Sequence, residues 1–502
     1  MDEKKIFRLI ENITQYESFK FVLSEILLRD FCGTADELRD VNIREKLDYN
    51  ELILLAGLWI KNVCVSKNFK MDEINDYMLR TYSLMENLHE AVLKNENYPE
   101  KEEMNYRELF AYSPTNAYDF QYINLVAKKY WNDRDYIYRH YDQKLEYYAE
   151  YFRRIKYLII QRLNDEELLK QLNATNSRIK IFILNRKTDK ILFDIDGFGN
   201  FIDFFAVDRN DTSFEQLNDM SDFNPLKEKP IIRLDKDNYF IVSSFHLAEA
   251  TWEVFFYRML KTDYKDTALK NRGDFAEDVV YHYLGNVFKN VCKNVRVKRN
   301  HSEELTDIDV CVIHRDTMLL FMVKTKKLTV LSRQGNINKI RDDYNKAILS
   351  SFEQGLSIKK IVELGKVDMW SSDDTFKTLL ESVNQVYLFT VTQDDYPYQN
   401  LLNHFFLEKY NEIPISINIF DLEVILNYIE DPDLFIEYTK SRYKCLKKFY
   451  LHSEIAFLDF FLTTTEVDFP DYDSVVLDND WGQAIDADFY MKLSRGQTKE
   501  LI

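Results

Sequence analysis

Acidic and basic side chains of catalytic type gather in one part of this 502-residue chain. Glu277 lies in a segment whose apolar residues recur at helical spacing, at the border of the apolar stripe. Asp307 and Asp309 begin one apolar strand-like segment, and Lys324 and Lys326 end the next. Carboxylates bind divalent cations through oxygen, and a lysine can position or activate a water molecule. This set predicts metal-dependent hydrolysis of a phosphodiester, whose transition state needs charge neutralisation.

Each of these features also has an ordinary structural explanation. Glu277 taken alone is a solvated helix residue, and an Asp-x-Asp pair commonly starts a strand after a turn. Lysines on an edge strand discourage aggregation between sheets. However, Lys324 and Lys326 share a strand face with Leu320 and Met322, and lysine is rarely interior without a partner. The acids and lysines together therefore favour a site.

The order of these features resembles the PD-(D/E)xK (restriction-endonuclease-like) nuclease superfamily, and most closely its Mrr/NERD-type branch. The resemblance consists of a G-x-x-x-E helix ending at Glu277, an acidic-x-Asp-Val segment ending at Val310, and a hydrophobic strand ending in x-x-K. It continues through the segments KTKKLTVLSRQGN and RDDYNKAILSSFEQG, and through a strand-helix segment that starts IPISINIF. It covers residues 270–430 and implies a nuclease core.

The resemblance also implies roles for individual residues. Glu277 and Asp309, aided by Asp307, would hold Mg²⁺ or Mn²⁺, and Lys324 would be the catalytic lysine. Gln354 would lie on the helix that closes the site.

The sequence departs from the family pattern at Met322, which stands where the family has Glu or Gln. A thioether is a soft ligand and a poor partner for Mg²⁺. A second register would make Lys326 catalytic but would place Lys324 at the missing acid, so the first register is preferred. Two outcomes remain open. The site either cuts with one metal, using a main-chain carbonyl as a further ligand, or is a catalytically inactive module that binds nucleic acid or protein.

Charge points to nucleic acid as the substrate, with DNA favoured. The chain carries a net charge of −18, but residues 286–346 hold thirteen Lys or Arg against seven acids. A basic region beside a candidate site suits phosphate contacts, although a basic run is also commonly a solvated face. The predicted nucleic-acid contacts are Lys326, Lys327, Arg333, Lys298 and Arg299.

Periodicity predicts an α+β multidomain protein. In the small α+β region, two hairpins are expected: one between Arg178–Leu184 and Lys190–Ile195, and one between the segments PIIRL and YFIVSSF. The resemblance implies that the mixed α/β core is restriction-endonuclease-like. The predicted boundaries are 1–170 for a helical domain, 171–262 for the small α+β region, 263–430 for the core, and 431–502 for a helical extension with an acidic, irregular tail.

Composition sets the expected compartment. Five scattered cysteines without CxxC spacing argue against a disulfide framework or a zinc site. The N-terminus is too charged for a signal peptide, and no apolar run reaches the ~20 residues of a membrane helix. A cytoplasmic protein is expected, plausibly a bacterial restriction or anti-phage effector whose N-terminal helices recognise a protein partner or trigger.

Overall fold

The computed structural model comprises two compact units. The first contains the described residues up to 94, residues 119–268, Arg333 and Asn336, and the second contains the others. The structure describes residues 2–32, 46–64, 66–94, 117–299, 303–333, 336–364, 368–370, 380–396, 399–451, 453–464, 474–477 and 480–498.

The first unit combines helices with a small four-stranded sheet. Its helices are α1 (Glu3–Thr14), α2 (Phe19–Phe31), α3 (Tyr49–Asn62), α4 (Ile74–Lys94), α5 (Asp119–Lys129), α6 (Arg134–Tyr141), α7 (Tyr148–Asn164), α8 (Glu166–Ala174), α9 (Lys190–Phe193), α10 (Phe198–Phe204) and α11 (Ser244–Met259). Its strands are β1 (Ile183–Asn185), β2 (Ala206–Asp208), β3 (Ile231–Arg233) and β4 (Asn238–Ile241), in the order β1-β4-β3-β2. Buried Leu23 and Trp59 of the helices share one core with Ile181 and Phe240. The segments predicted as separate 1–170 and 171–262 domains therefore pack together here.

One of the two predicted hairpins is wrong. The pattern Arg178–Leu184 followed by Lys190–Ile195 suggested paired strands, but the second segment begins with helix α9 and β1 pairs antiparallel with β4. The turn between the two segments is held by a local hydrogen bond, in which the Asn185 N–H donates to the Asp189 carboxylate at 2.8 Å. The second hairpin is confirmed, because β3 and β4 pair antiparallel.

The second unit is built around a six-stranded mixed sheet with further helices. The strands of this sheet are β5 (Val291–Arg299), β6 (Glu303–His314), β7 (Thr317–Lys324), β8 (Asp368–Trp370), β9 (Gln385–Thr392) and β10 (Ile415–Asn418). Two further strands, β11 (Phe449–Leu451) and β12 (Val475–Leu477), form a separate parallel pair. Its helices are α12 (Lys265–Gly285, of which the first turn belongs to the first unit), α13 (Val330–Arg333), α14 (Ile337–Tyr344), α15 (Ser350–Leu364), α16 (Gln399–Phe406), α17 (Ile419–Tyr428), α18 (Pro432–Cys445), α19 (Glu454–Thr463) and α20 (Gln483–Ser494). A π-helical turn over Asn345–Leu349 joins α14 to α15.

The strand order in the large sheet is β10-β9-β7-β6-β5-β8. Strands β5, β6 and β7 are antiparallel neighbours, whereas β9 runs parallel to β7 and β10 runs parallel to β9. Helix α15 lies on one face, where a Cβ at Gly355 would collide with Leu388. Helix α18 lies on the other, since Phe389 stacks both on Phe321, with ring centroids 4.5 Å apart, and on Phe435. The mixed sheet between helices confirms the α+β expectation.

Several parts of this unit differ from the prediction, among them β8, β11 and α16, which were not predicted. Strand β5 was missed because its basic residues alternate with only a few apolar ones and it follows α12 after a short turn. The tail after residue 463, expected to be irregular, contains β12 and α20, whose Ile485, Phe489 and Leu493 recur at helical spacing and are buried. Within the described part of the chain, no helix combines the length and the apolar character needed to span a membrane.

Candidate functional site

Asp309 lies where the main-chain pairing of β6 is interrupted on both sides. Pairing with β7 stops at Val310 opposite Phe321, and the register with β5 skips Asp309 and Asn294. Asn294 has a left-handed backbone with φ 54°, which non-glycine residues adopt rarely. The Asp309 Oδ2 instead accepts a hydrogen bond from the Val323 N–H at 2.6 Å. Asp309 is therefore held by its side chain at a point where the regular pairing of β6 is broken.

Glu277 of α12 belongs to the same electrostatic environment. Its carboxyl is partly buried, and burial together with the charges of Asp309, Asp274 and Asp307 raises its pKa to about 7, against a smaller effect of Lys293. Like charges raise one another's pKa only when they interact appreciably. The charges of the acids on the strand therefore act on the acid of the helix, as expected if they lie near it.

Lys324 ends β7 beside Asp309. Its Nζ lies 3.9 Å from the Asp309 Oδ2, and the lysine side chain remains 30% exposed. Burial raises the pKa of Asp309, and Lys324 and the Val323 N–H act in the opposite direction. The lysine is thus close to the buried acid and still accessible to a substrate.

Gln354 of α15 holds the predicted third acid. Its Nε2 donates to the Asp307 carbonyl oxygen at 3.1 Å, to the Asp307 Oδ1 at 3.2 Å, and to the Thr306 Oγ1 at 3.0 Å. Asp307 is exposed, so this contact orients it rather than buries it. The helix predicted to close the site does reach the acidic end of β6.

Lys326, predicted as a nucleic-acid contact, pairs with an acid of its own chain. Its Nζ lies 2.9 Å from the Oδ1 of buried Asp343 on α14. Asp343 also accepts hydrogen bonds from the Thr329 N–H and the Ser332 hydroxyl, each at 2.6 Å. Burial alone would raise the pKa of Asp343, but these hydrogen bonds and Lys326 hold it below its ordinary value. The pair fixes the loop that follows the candidate catalytic strand.

A second brace of this loop was missed from the sequence. Arg272 of α12 donates through Nε to the Thr325 carbonyl at 3.3 Å and through Nη2 to Asp394, which follows β9. The Arg272 side chain is only 3% exposed. A charged residue on the buried stripe of a helix was the available signal, since such residues need a partner. Asp343 carries the same signal on α14.

Met322 is fully buried and supplies no hard ligand. It lies in register with Thr390 of β9, whose hydroxyl hydrogen-bonds Ser416 at 2.7 Å. Among the residues that the structure describes, no group of three or more His, Cys, Asp or Glu side chains is arranged to hold a metal ion. The predicted ligands Glu277, Asp309 and Asp307 are linked by the electrostatic effect on the pKa of Glu277 and do not form such a group.

The basic region around the site is partly neutralised. Ion pairs join Lys293 to Asp278 and Arg315 to Asp433. Lys327 is partly buried in the loop after β7. The side chains of three other predicted contacts fall outside the described residues: Lys298, Arg299 and Arg333.

Comparison with known proteins adds no relative. No family model, no curated protein and no solved structure matches the chain.

Proposed function

We propose that the second unit is a metal-dependent nuclease of the PD-(D/E)xK type that hydrolyses phosphodiester bonds in DNA. The observation that carries the proposal is the anchored Asp309, which interacts with Glu277 and lies 3.9 Å from the Nζ of Lys324. The order of helix, three antiparallel strands, helix and parallel strand supports it, because it is the order that the family resemblance implies.

The donor set fits a hard divalent cation such as Mg²⁺ or Mn²⁺. Glu277 and Asp309 would hold it, with Asp307 and a main-chain carbonyl as further oxygen donors. Burial and mutual repulsion raise the pKa of Glu277, and a cation would remove that repulsion. Mg²⁺ usually keeps several waters, so two protein carboxylates suffice for binding. The bound cation would supply Lewis-acid activation and charge neutralisation at the phosphate.

The protein's own groups would position the substrate. The exposed end of Lys324 can donate hydrogen bonds to the attacking water or to a phosphate oxygen. Asp309 is kept in place by the Val323 N–H, and Asp307 by Gln354. Arg272 and the Lys326–Asp343 pair hold the loop after Lys324, so the lysine approaches the phosphate from a fixed backbone.

The wider setting belongs to the same proposal. We expect the protein to work in the cytoplasm, with the N-terminal helices recognising a protein partner or trigger, as in a restriction or anti-phage effector. The local excess of positive residues in 286–346 favours nucleic acid as the substrate.

The test is cleavage of supercoiled plasmid, single-stranded DNA and RNA with Mn²⁺, Mg²⁺ or a chelator. The wild-type protein should nick or cut DNA only with the metal, and Asp309→Ala should abolish cleavage. Lys346→Ala is the matched control for surface charge. The Lys346 Nζ lies 2.9 Å from the Oδ2 of Asp342 on α14, and both side chains are exposed. Cleavage that survives Asp309→Ala or the chelator would refute the assignment.

A second candidate function is binding without catalysis. The buried Met322 favours it, because it replaces a ligand that the family pattern expects. This candidate predicts salt-sensitive binding of nucleic acid with no metal-dependent turnover. Metal-dependent cleavage by the wild-type protein would exclude it.

A further inference from the structure

Two cysteines lie directly opposite each other in the sheet that carries the site. Cys292 of β5 is the register partner of Cys311 of β6. The Ile313 N–H donates to the Asn290 carbonyl at 3.1 Å, so residues 290 and 313 form a hydrogen-bonded antiparallel pair. Such pairs recur every second residue, which makes the two cysteines the next one, with Cα atoms about 5.5 Å apart. Disulfides most often span Cα distances of about 5.5–6 Å.

The two thiols differ in access. Opposed residues project from the same face of a sheet, so the side chains of Cys292 and Cys311 are neighbours. Cys311 is fully buried, whereas Cys292 is partly exposed, and neither forms a disulfide in this structure. An oxidant in solution would therefore reach Cys292 first, and Cys311 would be the residue placed to resolve the product.

We propose that Cys292 and Cys311 form a reversible oxidation site that closes to a cross-strand disulfide when a low-molecular-weight disulfide such as oxidised glutathione is present. In the first step the Cys292 thiolate attacks one glutathione sulfur, a mixed disulfide forms and one glutathione thiolate leaves. In the second step the Cys311 sulfur attacks the Cys292 sulfur, the bond between Cys292 and glutathione breaks, and the departing glutathione sulfur takes up the Cys311 proton and leaves as a thiol. Two protein thiols are oxidised, and one glutathione disulfide is reduced to two thiols.

The geometry predicts a bond that is easily reduced. Opposed Cβ atoms on antiparallel strands lie about 4.5–5.5 Å apart, whereas a disulfide needs about 3.5–4.5 Å. Closing the bond therefore draws β5 and β6 together, and strained disulfides are the labile ones. Asp309 lies two residues from Cys311 on the same face of β6, beside the left-handed Asn294. On the proposed nuclease function, the disulfide would therefore regulate cleavage through the position of Asp309.

The bond itself is tested on the folded full-length protein, which is incubated with glutathione disulfide, alkylated, digested and mapped by mass spectrometry. We expect one linked peptide pair joining Cys292 to Cys311, lost on treatment with dithiothreitol and absent in Cys292→Ser. Cys445→Ser is the control and should leave the linked pair unchanged. Cys292 carrying glutathione with no link to Cys311, or no oxidation of either residue, would overturn the proposal.

The regulatory consequence is measured separately. Oxidised wild-type protein should show a change of at least about tenfold in the rate of Mn²⁺-dependent cleavage, reversed by dithiothreitol, while Cys292→Ser should be insensitive to oxidation. A linked pair with equal cleavage in both redox states would refute the regulatory role and leave the nuclease function standing. A linked pair in a protein that never cleaves would instead refute the nuclease function and leave the oxidation site intact.

Discussion

The carboxylate of Asp309 accepts the main-chain N–H of Val323 at 2.6 Å, across the point where β6 and β7 stop pairing. The Val323 N–H, which in a regular sheet would donate to a main-chain carbonyl of β6, thus donates to a side chain instead. The acid is fixed in a gap of the sheet, with Lys324 close by, and its charge raises the pKa of Glu277. Several measurable properties depend on this arrangement.

The first prediction concerns pH and Glu277. The pKa of this carboxyl is about 7 in the folded, metal-free protein, against an ordinary value of 4.5. A raised acid pKa means that its stabilising contribution is present below the ordinary value and is lost as pH rises through the folded value. Between pH 5 and pH 8 the wild-type Tm should therefore fall relative to that of Glu277→Gln.

Thermal unfolding of the wild type and of Glu277→Gln across this pH range shows whether the Tm difference changes in the expected direction. Mg²⁺ should restore part of the lost stability at pH 8 in the wild type and less in Glu277→Gln, because a ligand that binds the folded state stabilises it. Asp278→Asn, on the neighbouring residue, should not reproduce the effect of Glu277→Gln. A Tm difference that does not change with pH would contradict the shared environment of Glu277 and Asp309.

The second prediction concerns Met322. Met322→Glu would restore a hard ligand at the position where the family pattern has one, so metal affinity and cleavage should rise by about tenfold or more. The metal-free variant should be less stable, because it buries a carboxylate without a partner. Met322→Leu is the control and should cost less than about 1.5 kcal/mol. Titration calorimetry with Mn²⁺ and chemical denaturation measure both effects, and unchanged metal affinity in Met322→Glu would place this side chain outside the site.

The third prediction compares two adjacent acids on α14. Asp343 is buried and accepts three contacts, whereas Asp342 forms an exposed pair with Lys346. Asp343→Asn should reduce the free energy of unfolding by about 2–3 kcal/mol, and Asp342→Asn by less than about 0.5 kcal/mol. Because the pKa of Asp343 is lowered, its contribution is present at neutral pH and is lost as pH falls below the ordinary value of 3.8. Urea unfolding at pH 7 measures both losses. Equal losses of unfolding free energy in the two variants would show that the contacts of Asp343 do not stabilise the loop after β7.

The fourth prediction concerns Gln354, which donates to Asp307 and Thr306. Gln354→Ala should cost about 0.5–1.5 kcal/mol in unfolding free energy, as expected for lost hydrogen bonds near the surface. Gln354→Glu should be less stable than Gln354→Ala, because it places a carboxylate against Asp307. The reverse order in urea unfolding would mean that the contact with Asp307 is absent in solution.

Periodicity was sufficient to predict several elements around the site. The apolar strands β6, β7, β9 and β10 and the helix α12 follow from alternating or helical patterns. The approach of Lys324 to Asp309 was also expected from their order and is present, while a common site with Glu277 and the catalytic role of all three residues stay predictions. Patterns of this kind report burial of one face, which is why they are reliable for strongly apolar segments.

Other features depend on contacts between residues far apart in the sequence. Nothing local shows that Lys326 pairs with Asp343 or that Arg272 reaches Thr325, so Lys326 was assigned to nucleic acid instead. The left-handed backbone of Asn294, which lies opposite Asp309, was likewise not predicted. The break in pairing at Asp309 therefore could not be predicted from the sequence.

The most direct test of the central claim is the single-turnover rate of DNA cleavage by Asp309→Asn in Mn²⁺. Asparagine keeps the size of the side chain and an oxygen that can accept the Val323 N–H, so the fold should be retained while a metal ligand is weakened. We predict a rate at least about 100-fold below that of the wild type, with Asp316→Asn in the β6–β7 turn close to wild type. Cleavage by Asp309→Asn within about threefold of wild type would contradict the assignment of Asp309, and with it the proposed site.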